Sequence, residues 1–191
     1  MRMFTAFELS DSLKRTLGSF QASLKQAIPG PVSWVREENF HITAWFLGET
    51  NANDAACIEA RLRHALEGIA PIEVRLNGFA WMPATKPRVL HIAIKDPRAL
   101  QDVALKAKDA LLEAVPSLEF DKPFLAHVTL GRVKQPTAKL EALLRRLPIE
   151  TPEFEPLVVQ GIGLFESNLS PTGARYRRVA LVTFQQRRFI A

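Results

Sequence analysis

The sequence predicts an α+β fold: a pseudo-duplicated, bilobal domain in which two antiparallel sheets face each other across a central cleft, with helices outside. Two observations carry this. Strand-like stretches alternate with amphipathic helical ones over all 191 residues without a Gly/Ser-rich linker between domains. A strand carrying His-x-Thr and followed by a helix occurs twice. With 47% hydrophobic residues the chain can bury a substantial core, and its length suits one large domain spanning 1–191 or two small, intimately joined lobes.

In chain order, Arg2 to Glu8 reads as a strand. Ser10 is the expected N-cap of a helix from Asp11 to Ala27, with Leu13, Leu17, Phe20 and Leu24 on one face and Pro29-Gly30-Pro31 as its stop. Val32 to Val35 leads into a strand that opens with His41-Ile42-Thr43-Ala44 and closes at Gly48. Asn51 or Asn53 caps a second helix, with Ile58, Leu62, Leu66 and Ile69 at helical spacing. Strands at Ile72 to Trp81 and Arg88 to Lys95 flank a Pro-containing loop, and a third helix runs from Pro97 to Val115. Asp121 to Phe124 delivers a second motif strand, His127-Val128-Thr129-Leu130-Gly131-Arg132. A short helix, Thr137 to Leu147, precedes a strand pair, Glu155 to Glu166 and Arg175 to Phe184, around the loop Ser167 to Ala174.

The two motifs carry the chemistry. Side chains repeat every two residues in a strand, so His41 and Thr43 share one face, as do His127 and Thr129. Two such strands side by side aim two imidazoles and two hydroxyls into one space. That is an acid, a base and two neutral hydrogen-bond donors, a set that suits a phosphate ester. A single His-x-Thr is an ordinary packed or surface histidine, but the chain has only four histidines and two stand in matching contexts. His64 lies off the apolar stripe of its helix and reads as solvent-exposed; His91 alternates with Val89 and Ala93 and reads as a satisfied, partly buried side chain. A metal site is hard to assemble, since each motif offers one His with Thr at the same-face position and there is no cysteine cluster. Cys57, the sole cysteine, excludes an intrachain disulfide and reads as a small buried residue.

Charge is unevenly placed. All 20 acidic residues lie before Ser167, beside 20 of the 25 Lys+Arg, and the remaining segment holds Arg175, Arg177, Arg178, Arg187 and Arg188. This excess fits a polyanionic partner, or equally a charged strand guarding a sheet edge. The N-terminus opens on a strand without a signal-peptide apolar core, and no apolar run approaches the roughly 20 residues of a membrane span, so a soluble, cytoplasmic protein is expected.

With these residues in hand, the chain resembles the 2H phosphoesterase superfamily, through His41-Ile42-Thr43-Ala44 and His127-Val128-Thr129-Leu130. Within it, the chain is similar to the bacterial and archaeal RNA 2′,3′-cyclic phosphodiesterases, formerly called 2′-5′ RNA ligases. The resemblance spans essentially the whole chain, including Met1 to Ala6, the lead-in Trp34 to Phe40 and the tail Phe165 to Tyr176. It departs from relatives at Ala44-Trp45. It implies a bilobal fold and hydrolysis of an RNA 2′,3′-cyclic phosphate end, or a nucleoside 2′,3′-cyclic phosphate, to a 2′-phosphomonoester, with 2′-5′ ligation as the reverse chemistry. No metal or nucleotide cofactor is implied, and a monomer is expected. By analogy His41 is the proton donor to the leaving 3′ oxygen, His127 the proton acceptor that activates water, and Thr43 and Thr129 bind nonbridging phosphate oxygens. Arg175 is the first choice for a further substrate contact, with Arg132 second and Tyr176 beside them. The alternatives are another small cyclic phosphate, a 2′-5′ oligonucleotide, or a non-catalytic RNA-binding module.

Overall fold

The protein's structure, a computed structural model, describes residues 1–170 and 173–185. Its elements run β1 (Arg2–Glu8), α1 (Asp11–Ala27), β2 (Val32–Trp34), a 3-10 turn (Glu37–Asn39), β3 (His41–Glu49), α2 (Ala52–Ala65), β4 (Ile72–Met82), β5 (Val89–Lys95), α3 (Arg98–Ala114), β6 (His127–Val133), α4 (Ala138–Arg146), β7 (Leu157–Val159), β8 (Gly161–Ser170) and β9 (Gly173–Thr183). Among the described residues, three of the four α-helices begin where a short polar side chain accepts from an orphan backbone N–H: Ser10 from Leu13, Asn51 from Asp54, Thr137 from Leu140. The α+β architecture is as the sequence predicts.

The nine strands form one antiparallel arrangement in the order β7-β4-β5-β6-β3-β1-β8-β9, with β2 added on β6. The two predicted sheets are therefore continuous, but only just: β3 and β6 share the single register pair Ile42 and Val128. On either side of that seam the layout repeats. Each motif strand pairs with the strand that precedes it across a helix, β3 with β1 and β6 with β5. In each half a later strand crosses to the other lobe: β4, the next strand after β3, pairs with β5, and β8, which follows β6 and β7, pairs with β1. This exchange interlocks the lobes.

One face of the sheet is buried under the helices. Phe7, Ile42, Ile92, Val128 and Leu130 are buried there with Leu13 and Leu17 of α1 and Leu100 and Leu111 of α3, and the Trp45 indole N–H donates to the α3 carbonyl of Ala104 at 2.6 Å. The opposite face is the floor of the cleft.

Three local expectations are corrected. The predicted strand from Glu155 breaks at Gln160, because its first piece, β7, pairs with β4 while β8 crosses to β1. Most of the predicted Ser167–Ala174 loop is strand, a hairpin running out to Ser170 paired with Gly173; residues 171 and 172 lie outside the described residues, as do Arg187 and Arg188. Cys57 is exposed, not buried. The inward positions of α2 are Ala55, Ile58 and Leu62, and Cys57 is one residue, about 100° of helix rotation, off that stripe.

Candidate active site

The seam decides where the motifs meet. Ile42 and Val128 sit opposite each other and are buried on the core face. Their neighbours His41, Thr43, His127 and Thr129 therefore all project from the other face, into the cleft. Within the register the seam sets, each histidine lies across from the other strand's threonine.

Both imidazoles are oriented in the same way. His41 Nδ1 lies 2.6 Å from the Asn39 carbonyl and His127 Nδ1 lies 2.7 Å from the Leu125 carbonyl. A carbonyl only accepts, so the ring hydrogen of each neutral histidine sits on Nδ1. Nε2 of each is then free to take or give a proton in the cleft. His41 Nε2 meets the Thr43 hydroxyl at 2.8 Å. Burial holds the His41 pKa down at about 4 against the raising effect of the Asn39 carbonyl, and the charges of His127, Lys14 and Arg132 push it further down. His127 is also lowered, by burial first, with the Leu125 carbonyl opposing and Arg132 adding to the effect. In the free protein both rings are thus predominantly neutral at pH 7. A negative charge placed between them would favour the protonated form of one.

A bulge follows each motif at its fourth residue. On β3, Thr43 faces Ala6 and Trp45 faces Thr5, leaving Ala44 unmatched. On β6, Thr129 faces His91 and Gly131 faces Leu90, leaving Leu130 unmatched. An extra residue resets the alternation of a strand. Arg132 therefore shares the cleft face with Val89 and His127, although it stands an odd number of residues from the histidine. It forms no salt bridge among the described residues, and its charge reaches His41, His127 and Tyr176. The second bulge is pinned from beneath. The Leu130 carbonyl, released from the ladder, accepts from Val35 N at 2.9 Å and from the buried Gln21 Nε2 at 2.8 Å.

Of the two expected arginines, the structure sets Arg132 on the cleft face and Arg175 away from it. Tyr176 lies on the cleft face, 5.4 Å from the His41 ring in an edge-on contact, and burial raises its phenol pKa. Arg175, its neighbour on β9, points from the opposite face. The β9 arginines beyond it are already engaged: Arg177 with Glu166 at 2.7 Å and Arg178 with Glu8 at 2.8 Å.

Two features escaped the sequence. Phe4 is packed among His41, Phe46, Phe165 and Tyr176, making an aromatic wall beside the first motif. His91, read as a satisfied side chain, is buried with an Nδ1 that meets no hydrogen-bond partner among the described residues. Its ring abuts that of His127 edge-on at 5.3 Å, and burial foremost, with the His127 charge, lowers its pKa to about 4 despite the nearby Val89 carbonyl. Its alternation with Val89 and Ala93 was visible in the sequence. That β5 lies beside the second motif strand was not.

Fold and site together define a paired-histidine phosphoesterase. The chain belongs to the LigT like phosphoesterase family, whose model matches residues 7–91 and 95–176. It is 32% identical over 180 residues to the RNA 2′,3′-cyclic phosphodiesterase of Archaeoglobus fulgidus, covering 93% of this chain and 97% of that one. It is 28% identical over 178 residues to the Thermotoga maritima protein of the same name, covering 93% and 92%. Among solved structures it resembles TT0787 of Thermus thermophilus, with 25% identity and a TM-score of 0.74 over 96% of this chain and 98% of that one. E. coli LigT complexed with 3′-AMP shares the fold, at 19% identity and a TM-score of 0.78 over 97% and 98%.

Proposed function

We propose that the protein hydrolyses 2′,3′-cyclic phosphate ends of RNA, and nucleoside 2′,3′-cyclic phosphates, to 2′-phosphomonoesters by metal-independent acid–base catalysis. The observation that carries this reading is the meeting of both His-x-Thr pairs on one face across a single seam pair. The likeness to the Archaeoglobus and Thermotoga RNA 2′,3′-cyclic phosphodiesterases supports the choice of substrate.

His127 Nε2 takes a proton from water as the water oxygen bonds to phosphorus. The phosphorus–O3′ bond breaks, and O3′ takes the proton carried by His41 Nε2. The product is a 2′-phosphomonoester with a free 3′-hydroxyl, and solvent returns the two histidines to their starting states. Thr43 and Thr129 hydrogen-bond the nonbridging oxygens, and Arg132 adds a positive charge where negative charge builds. Run in reverse with a 5′-hydroxyl in place of water, the same groups would make a 2′-5′ linkage; water's abundance favours hydrolysis. One chain carries the whole set, so a monomer suffices.

The test is turnover of adenosine 2′,3′-cyclic phosphate in the presence and absence of EDTA, with the product isomer identified by NMR. The 2′-phosphate should form at the same rate in both. A 3′-phosphate product would reverse the acid and base geometry, and loss of activity restored by one divalent metal would move the reaction to metal-assisted hydrolysis.

A further inference from the structure

His91 is a third imidazole of the cleft, and the proposed chemistry leaves it without a task. It stands opposite Thr129 across the β5–β6 ladder, and opposite Ala80 across the β4–β5 ladder. Residues paired in this way share a face of the sheet. The His91 ring is thus on the cleft face, in the lobe that carries His127, and it meets the His127 ring edge-on at 5.3 Å. His41 lies across the seam, on β3.

Packing alone does not call for an imidazole here. The residue is 7% exposed, and its Nδ1 is enclosed without a hydrogen-bond partner among the described residues. Ala80, its neighbour on β4, offers only a methyl group. An enclosed polar atom left without a partner destabilises the folded state. A phenyl ring would fill the same space against His127 without that cost. What a phenyl ring lacks is a nitrogen, so the reason for the imidazole is a polar partner that arrives with the reactants.

The position of His91 identifies that partner. In-line displacement puts the attacking water on the His127 side of phosphorus and O3′ on the His41 side. Water has two hydrogens, and His127 takes one. We propose that His91 accepts a hydrogen bond from the other, so that His127 and His91 together hold the attacking water. A neutral imidazole keeps one bare nitrogen for this, and burial foremost keeps His91 neutral at pH 7, with a pKa of about 4. An alcohol has a single hydroxyl hydrogen, which goes to His127 and leaves none for His91. The second imidazole thus favours water over an alcohol as nucleophile, and hydrolysis over 2′-5′ ligation. The inference rests on the proposed phosphodiesterase reading, and its test separates the two.

His91→Phe keeps a ring against His127, and His91→Gln restores an acceptor. Both are compared with the unmodified protein on adenosine 2′,3′-cyclic phosphate in buffer containing methanol. Methanol bonds to phosphorus through its oxygen, gives its proton to His127 and releases O3′, which leaves adenosine 2′-methyl phosphate; water leaves the 2′-monophosphate. NMR separates the two products, and melting temperatures check the fold. His91→Phe should slow monophosphate formation roughly three- to tenfold, the loss of about one hydrogen bond, while methyl ester formation stays within about twofold. His91→Gln should recover monophosphate formation. Equal losses in both products, or none in either, overturn the water contact and leave the phosphodiesterase reading standing. If no methyl ester forms with any of the three proteins, His91→Gln decides: recovered hydrolysis supports the contact, and a rate no better than that of His91→Phe overturns it. If the unmodified protein forms neither product, the phosphodiesterase reading falls and the water contact falls with it.

Discussion

Single residues carry the sharpest expectations. His41→Ala and His127→Ala should each lower kcat at least about 100-fold, the low end of general acid–base contributions, with the double variant little worse than either. Retention of a tenth of the activity by either variant would exclude the two-histidine mechanism. One histidine must be protonated and the other neutral, so kcat/KM should be bell-shaped in pH. His41 titrates at about 4 in the free protein and His127 is also lowered. The optimum of kcat/KM should therefore fall acid of the ordinary histidine pKa, about 6.5. The kcat profile reports the substrate complex, where the phosphate anion raises both values, and should lie to its alkaline side. A flat profile from pH 5 to 9 would count against both rings titrating in the chemistry. Arg132→Gln should cost roughly 10- to 150-fold in kcat/KM, the range for losing a hydrogen bond to a charged group. Arg175→Gln, altered on the opposite face, should cost little, and a larger loss at Arg175 than at Arg132 would mean the cleft has been assigned to the wrong face.

At the scale of elements, the β6 bulge depends on a helix that holds no catalytic group. Gln21 of α1 donates to the Val35 carbonyl at 2.7 Å and to the Leu130 carbonyl at 2.8 Å, tying α1, the segment after β2 and the bulge together. Gln21→Leu should cost about 2 kcal/mol of stability, at about 1 kcal/mol per hydrogen bond lost. It should also reduce kcat/KM toward that of Arg132→Gln, because the bulge sets which face that arginine takes. Urea unfolding with parallel kinetics checks this. Lost stability with unchanged kinetics would show that the bulge holds its shape without α1. Close packing restricts the same region, since a Cβ on Gly131 would lie 2.8 Å from Val32 Cγ1 and 3.0 Å from Trp34 Cε3.

For the whole molecule, the cluster of neutral imidazoles links stability to pH. His41 and His91 have folded-state pKa values of about 4, below an unfolded value of 6.5, and His127 is lowered as well. Between those values the unfolded chain binds more protons than the folded one, so stability rises with pH across the window and is lost as pH falls from about 6.5 toward 4. His91→Phe keeps a buried ring against His127 and removes one titrating group. Its urea midpoint should therefore fall less between pH 7 and pH 5 than that of the unmodified protein; an equal fall would place the acid sensitivity elsewhere.

The sequence by itself determined the α+β class, the helix cap at Ser10, the choice of Asn51 or Asn53 for the second, and the sharing of a face by His41 with Thr43 and by His127 with Thr129. Each of these follows from local periodicity or from hydrogen bonds made within one turn, which a linear pattern contains. Tertiary structure decided the rest of the site. Only pairing with β1 and β5 reveals the unmatched Ala44 and Leu130, so only the sheet shows that Phe46 and Arg132 enter the cleft. The neighbour of β6 decides that His91 lies against His127, and the partners of β7 and β8 decide that one apolar run becomes two strands in opposite lobes. The face Arg175 takes was hidden for the same reason. Its sequence position beside Tyr176 was legible, but which of two adjacent residues faces the cleft depends on the strand that pairs with theirs.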